Sequence, residues 1–185
     1  MPINCIPDNA TIIEQTRCWI KEVIIGLNFC PFAKREFNRN SIRYAVIDAM
    51  TLDVCLEALI DESILLDSDE SIETSLLIFT HAVSDFDQFL DFIELANAVL
   101  IEHGYEGVYQ LASFHPDYRF AGEQDEDPAN FTNRSPYPML HLIREASIER
   151  ALRHYPDPEA IPERNIELAR SKGLATMQRL LDDCK

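Results

Sequence analysis

Long apolar runs, glycine, paired cysteines and, across its middle, positive charge are all scarce in this chain. The apolar runs are short, such as Val23-Ile24-Ile25 and Leu76-Leu77-Ile78-Phe79, against the ~20 residues a membrane-spanning helix needs. No membrane partner is therefore expected. The opening Met1-Pro2-Ile3-Asn4-Cys5 lacks the basic and apolar regions of an export signal, and the sequence reads as cytoplasmic. With only five glycines, no Gly-rich phosphate loop can be built. Cys5, Cys18, Cys30, Cys55 and Cys184 are widely spaced with no CxxC among them. That argues against a zinc knuckle or a thioredoxin-type motif. An odd set in such a chain reads as reduced thiols, mostly small core residues.

Between Arg43 and Arg119 there is no Lys or Arg, yet residues 44–118 hold 16 of the 32 acidic side chains. The flanks carry as many acids as bases, so the whole net charge of −16 falls on the middle segment. A nucleic-acid surface needs a basic patch to displace counterions, and none is expected here. The acidic middle reads either as a solvated face that aids solubility or as a docking surface for a basic partner.

What is present is a chain of 185 residues, 46% apolar, of a size and composition for one globular domain over 1–185. Ile12, Thr16, Trp19, Ile20, Val23 and Leu27 keep helical spacing, predicting a helix over 11–26 closed by Gly26. Strands are predicted over 41–49, 72–80 and 107–114, with helices over 51–66 and 84–103 between them. Ser84 with Asp87 supplies a capping pattern for the second, and Gly104 ends it. Crossovers of this length favour parallel strands with right-handed connections. The expected fold is α/β: a small, mainly parallel βαβαβ sheet flanked by helices, with a helical C-terminal part. In that part Ser135 caps a helix with Pro136 in its first turn, running to Tyr155, and another helix spans 158–173.

Three constellations carry chemical potential. In open parallel sheets ligands bind beyond the carboxyl ends of the strands, here Asp48, Thr80-His81 and His115-Pro116-Asp117. His115, oriented by Asp117, can act as a general acid or base, or the two can merely cap a turn. Asn133-Arg134-Ser135-Pro136-Tyr137-Pro138 would open a helix whose N–H groups attract an anion, with Arg134 adding a bidentate grip; the alternative is an ordinary cap. On that helix Arg144 and Glu145 would follow His141 by about one turn. In Asn28-Phe29-Cys30-Pro31-Phe32-Ala33-Lys34-Arg35, Cys30 would sit at a helix start beside Lys34, an environment that favours the thiolate. The alternative is a buried Cys30 between Phe29 and Phe32. His81, His141 and Glu145 are the weak metal candidates.

Gly26-Leu27-Asn28-Phe29-Cys30-Pro31-Phe32-Ala33-Lys34, Ala112 to Gly122, Asn133 to Pro138, Leu140 to Ser147 and Glu163-Arg164-Asn165-Ile166-Glu167 together resemble domain-of-unknown-function family 1415. The resemblance implies a cytoplasmic bacterial protein and carries no activity onto any residue.

The leading expectation is an enzyme acting on a small anionic substrate. His115, Asp117 and Cys30 would be catalytic, and Asn133, Arg134, Ser135, Tyr137, Arg144 and Lys34 would bind the substrate. The alternatives are a non-enzymatic ligand-binding or regulatory module, and a divalent-metal hydrolase using His81, His115, Asp117, His141 and Glu145. No cofactor is expected, and the oligomeric state is left open.

Overall fold

Residues 7–153 and 155–185 are described by a computed structural model; Cys5 and His154 lie outside the described residues. Helix α1 (Asn9–Trp19) starts where Asp8 accepts the Thr11 N–H at 2.8 Å. It runs on into a π-helical turn, Ile20–Ile25. Gly26 closes that turn, and a Cβ on it would stand 2.2 Å from the Glu22 carbonyl oxygen, so no other residue fits without moving the backbone. Helix α2 (Ala33–Arg39) leads to strand β1 (Ile42–Ile47), then α3 (Leu52–Ser68), β2 (Thr74–Phe79), α4 (Phe86–Glu102) and β3 (Tyr109–Phe114). The cap of α4 is Asp85, which accepts the Gln88 N–H at 3.0 Å, in place of the Ser84 expected from sequence.

The long loop after β3 carries a 3-10 turn at Pro128–Thr132, and then the chain departs from expectation. Ser135 opens no helix. Residues Met139–Arg144 form strand β4, followed by α5 (Glu145–Leu152), α6 (Ile161–Lys172) and α7 (Leu174–Asp182). The sheet order is β1-β2-β4-β3, with β1 parallel to β2 and β4 antiparallel to both β2 and β3. Strands β1, β2 and β3 thus run the same way, as the helical crossovers dictate. The sheet is nevertheless mixed rather than mainly parallel, because β4 inserts between β2 and β3.

Alternation along the strands divides the core in two. One face carries Tyr44, Leu76, Ile78, Met139 and Phe114 beneath α1, the π turn, α6 and α7. The other carries Ala45, Leu77, Phe79, Leu140 and Leu142 beneath α3 and α4. Those two helices have no Lys or Arg, so they put the acidic middle of the chain on one side. Among the described residues no helix is long and apolar enough to cross a membrane.

Candidate functional site

His115 leaves the end of β3 and turns toward the α3/α4 face. It is fully buried, with its ring centroid 5.2 Å from that of Phe86 and 5.1 Å from that of Phe89. Its Nδ1 accepts the Asp117 N–H at 3.0 Å, so its Nε2 carries the proton, donated to the Val83 carbonyl at 3.2 Å. Burial lowers its pKa against the pull of that carbonyl, and the imidazole is neutral. Both nitrogens are committed. Asp117 orients the ring through its backbone N–H while its side chain faces solvent. Of the two expectations for this pair, the turn-capping one describes the geometry.

The anion clamp loses its foundation with the helix. Arg134 donates to the carbonyls of Tyr118 at 3.1 Å and Asp125 at 2.8 Å and covers the Phe131 ring at 4.8 Å. It staples the long loop together. Ser135 is buried and donates to the Tyr137 carbonyl at 2.6 Å, and the Tyr137 hydroxyl donates to Gln15. Asn133 donates to the Ser113 carbonyl at 3.1 Å, tying the loop back to β3. Arg144 sits at the opposite end of the sheet, bonded to the carbonyls of Leu66 and Ile72 and to the Tyr109 hydroxyl. Lys34 is exposed.

The weak metal candidates are dispersed. His81 pairs with Asp48 at 3.0 Å on the rim, His115 is buried against the α3/α4 face, and His141 is on β4. Glu145 begins α5 instead of following His141 by a helical turn. Among the described residues no three His, Cys, Asp or Glu side chains gather into a metal-binding group.

What the structure assembles lies on the α1/α6 face. A cleft of about 860 Å³ opens between the sheet and its helical cover. Its floor is Leu76, His141 and Ala112, which are register partners across β2, β4 and β3, with Thr74 and Phe114 beside them. Its walls are Trp19, Ile20 and Ile24, the Phe29–Ala33 loop, Ile148 and Ala151 of α5, and Ile161, Pro162 and Ile166 of α6. The charged residues that line it pair off, Arg35 with Glu36 at 3.4 Å and Arg150 with Glu73 at 3.3 Å.

The Thr74 hydroxyl donates to the Leu142 carbonyl at 2.6 Å and contacts His141 Nε2 at 2.7 Å. A hydroxyl has one proton, so Nε2 must carry the imidazole proton and Nδ1 keeps its lone pair. No described residue donates to Nδ1. Burial pushes the His141 pKa down to about 4, and the ring is neutral at pH 7.

Cys30 lines the same cleft. The N–H groups of Phe32 and Ala33 point at its sulfur and favour the thiolate, but burial outweighs them and its pKa is raised. The helix-start argument for a reactive Cys30 is therefore reversed in sign. Cys30 and His115 also pack against opposite faces of the sheet, which removes the Cys30–His115 pair.

Two residues that the sequence left without a role hold the cleft wall. Asn165 donates to the Phe29 carbonyl at 2.6 Å, and Arg164 donates to the Asn28 carbonyl at 3.2 Å. Asn28 has a left-handed φ of 55°, and these bonds fix the unusual turn. The available signal was Asn165 on the 161–165–169 stripe of a helix: a buried Asn on an apolar face needs a partner.

A model of the family described as "Protein of unknown function (DUF1415)" matches residues 11–179, most of the chain. The chain belongs to this family. No curated protein and no solved structure matches it. Every cleft-lining residue falls inside the matched span, as do the two segments that Arg164 and Asn165 join. The DUF1415 match thus covers the whole cleft and attaches no reaction to it.

Proposed function

We propose that this protein binds a small, neutral, largely apolar molecule in the cleft, anchored by one O–H or N–H group donated to His141 Nδ1. The observation that carries the reading is the open lone pair of His141 on the floor of an apolar cleft. Pockets for small molecules combine mostly apolar walls with a few fixed polar groups, and an acceptor left without a partner in low dielectric rewards a ligand that supplies one. The ligand is neutral because the charges lining the cleft cancel in pairs and neither His141 nor Cys30 is ionised at pH 7.

Paired titrations with p-cresol and toluene test this. The two share the ring and methyl group and differ by a hydroxyl. The expected result is that p-cresol binds about ten-fold tighter, the worth of one hydrogen bond, and that His141→Leu erases the difference while toluene binding survives. Equal affinity of both for the unaltered protein would sink the role given to His141. Binding of neither at millimolar concentration would sink the cleft.

A catalytic version is favoured by one observation, Cys30 and His141 lining the same cleft. It requires Cys30 to be nucleophilic. Alkylation by iodoacetamide decides it: the raised pKa predicts that Cys30 reacts slower than a free thiol at pH 7, and a catalytic Cys30 would react faster.

A further inference from the structure

The sulfurs of Cys18 and Cys184 lie 2.8 Å apart, closer than two sulfur atoms ordinarily approach without a bond between them. Both are free thiols in this structure. Cys18 is on α1, and Cys184 is held in the turn that closes α7 by its N–H bond to the Leu181 carbonyl at 3.2 Å. They are 166 positions apart in sequence, so no spacing pattern announces them. The geometry points to a modification site: we propose that Cys18 and Cys184 form a reversible disulfide that staples the C-terminal turn to α1 when a hydroperoxide is present. This stands whatever the cleft binds.

The site is asymmetric in access. Cys18 borders a shallow surface depression of about 310 Å³ with Glu14, Arg17, Lys21 and Phe37. Cys184 is buried and does not line it. Burial first, and then the neighbouring sulfur, push the Cys184 thiol up to about 12, so it stays protonated while Cys18 meets the oxidant.

The chemistry balances in two steps. The Cys18 sulfur attacks one peroxide oxygen, the O–O bond breaks, an S–O bond forms, and the departing oxygen takes the Cys18 proton and leaves as water or an alcohol. The sulfur of Cys184 then attacks that of Cys18, the S–O bond breaks and an S–S bond forms. The hydroxide released takes the Cys184 proton and leaves as a second water. Two thiols lose two electrons and the peroxide gains them. A small dithiol reverses the change by exchange.

The other described cysteines lack this arrangement. Cys55 is buried among apolar residues of the α3/α4 face, and Cys30 faces the cleft. Neither has a second sulfur in contact. Among the described cysteines, oxidation should therefore be selective for one pair. Its consequence is mechanical: α7 packs on the π turn and on α6, so a staple at its end fixes the cover of one sheet face to itself. Closing a loop of nearly the whole chain is the case in which chain-entropy arguments predict the largest gain.

The test treats the unaltered protein with a small excess of hydrogen peroxide, caps the remaining thiols with iodoacetamide and maps the peptides. The expected result is one linked peptide joining Cys18 to Cys184, short of two hydrogens, with Cys30 and Cys55 still free to be capped after unfolding. Its melting temperature should rise by about 10 °C and return on adding dithiothreitol. Cys184→Ser should show neither effect and should instead carry Cys18 onward to the sulfinic acid. Cys30→Ser should behave as the unaltered protein. Finding Cys18 as sulfinic acid in the unaltered protein with no linked peptide would overturn the proposal. So would a linked peptide with an unchanged melting temperature.

Discussion

His115 and His141 are neutral imidazoles packed against opposite faces of one sheet, and they differ in what their second nitrogen meets. His115 spends both nitrogens on backbone groups and packs its ring against Phe86 and Phe89. His141, on the cleft floor, spends one nitrogen on Thr74, and no described residue donates to the other. The faces differ in the same sense. Under α3 and α4 the layer of Leu59, Leu66, Leu77, Phe89, Phe92, Leu140 and Leu142 is closed to solvent. Under α1 and α6 the cover stands off the sheet and leaves the cleft. A buried polar group with all its partners present holds a fold together; one with a partner missing beside open space is where a ligand gains most. By that measure His141, the histidine with the poorer sequence context, is better placed to meet a ligand than His115.

The largest way to break the comparison is to remove each ring. His115→Ala leaves the Val83 carbonyl and the Asp117 N–H without their partner and opens a void between two phenylalanines, at a cost of about 4 kcal/mol. His141→Ala loses one bond to Thr74, whose hydroxyl keeps its bond to Leu142, and enlarges a cleft already open, at about 1 kcal/mol. Urea denaturation at pH 7 measures both. Equal losses would mean that the two histidines are structurally equivalent.

Acid titration sharpens the same contrast. A His with a folded pKa near 4 against an ordinary 6.5 binds its proton more readily in the unfolded chain. Its stabilising effect is complete above pH 6.5 and is lost as pH falls toward 4, by at most about 3 kcal/mol. The His115 pKa is shifted in the same direction, so both contribute to acid sensitivity. The slope of stability between pH 6.5 and 4 should flatten in His141→Asn relative to the unaltered protein. An unchanged slope would mean that His141 is not held neutral by burial.

The βαβαβ part was legible because each element there obeys one period. Phe86, Phe89, Leu90, Ile93 and Leu100 announce a helix at α4, although its buried positions are Phe89, Phe92, Ala96 and Leu100 and Leu90 is exposed; β2 is a short apolar run between polar ends. Strand β4 was not legible. It is buried on both faces, Met139 and His141 on one and Leu140 and Leu142 on the other, so it shows no alternation. A continuous apolar run of that kind cannot be told from a buried helix by period alone. The apolar positions of α5 then extended the false helix, and Ser135-Pro136 completed it with a plausible start. Read as a helix, this segment puts His141 on a helix side; as a strand, it puts His141 at the centre of the sheet, on the cleft floor. The polar loop after His115 was conspicuous for a different reason: a long irregular segment must satisfy its own backbone groups, and Asn130, Asn133 and Arg134 do so. Density of polar residues there reported loop architecture.

The smallest effect separates the two faces at neighbouring positions on one strand. Leu76 and Leu77 are both buried on β2, but Leu76 is on the cleft floor and Leu77 is in the closed layer. Truncating a core leucine costs the transfer of its lost atoms plus a term for the void left behind. Leu77→Ala bears both terms. Leu76→Ala bears mainly the first, because its void merges with space that is already there. The expected losses are about 4 and about 2.5 kcal/mol, a gap of roughly 1.5 kcal/mol that chemical denaturation resolves. The enlarged cleft of Leu76→Ala should also accept a bulkier phenol than the unaltered protein does, while Leu77→Ala should not. If the two truncations cost the same and neither alters phenol binding, the cleft face is packed as tightly as the other, and the distinction between the two histidines falls with it.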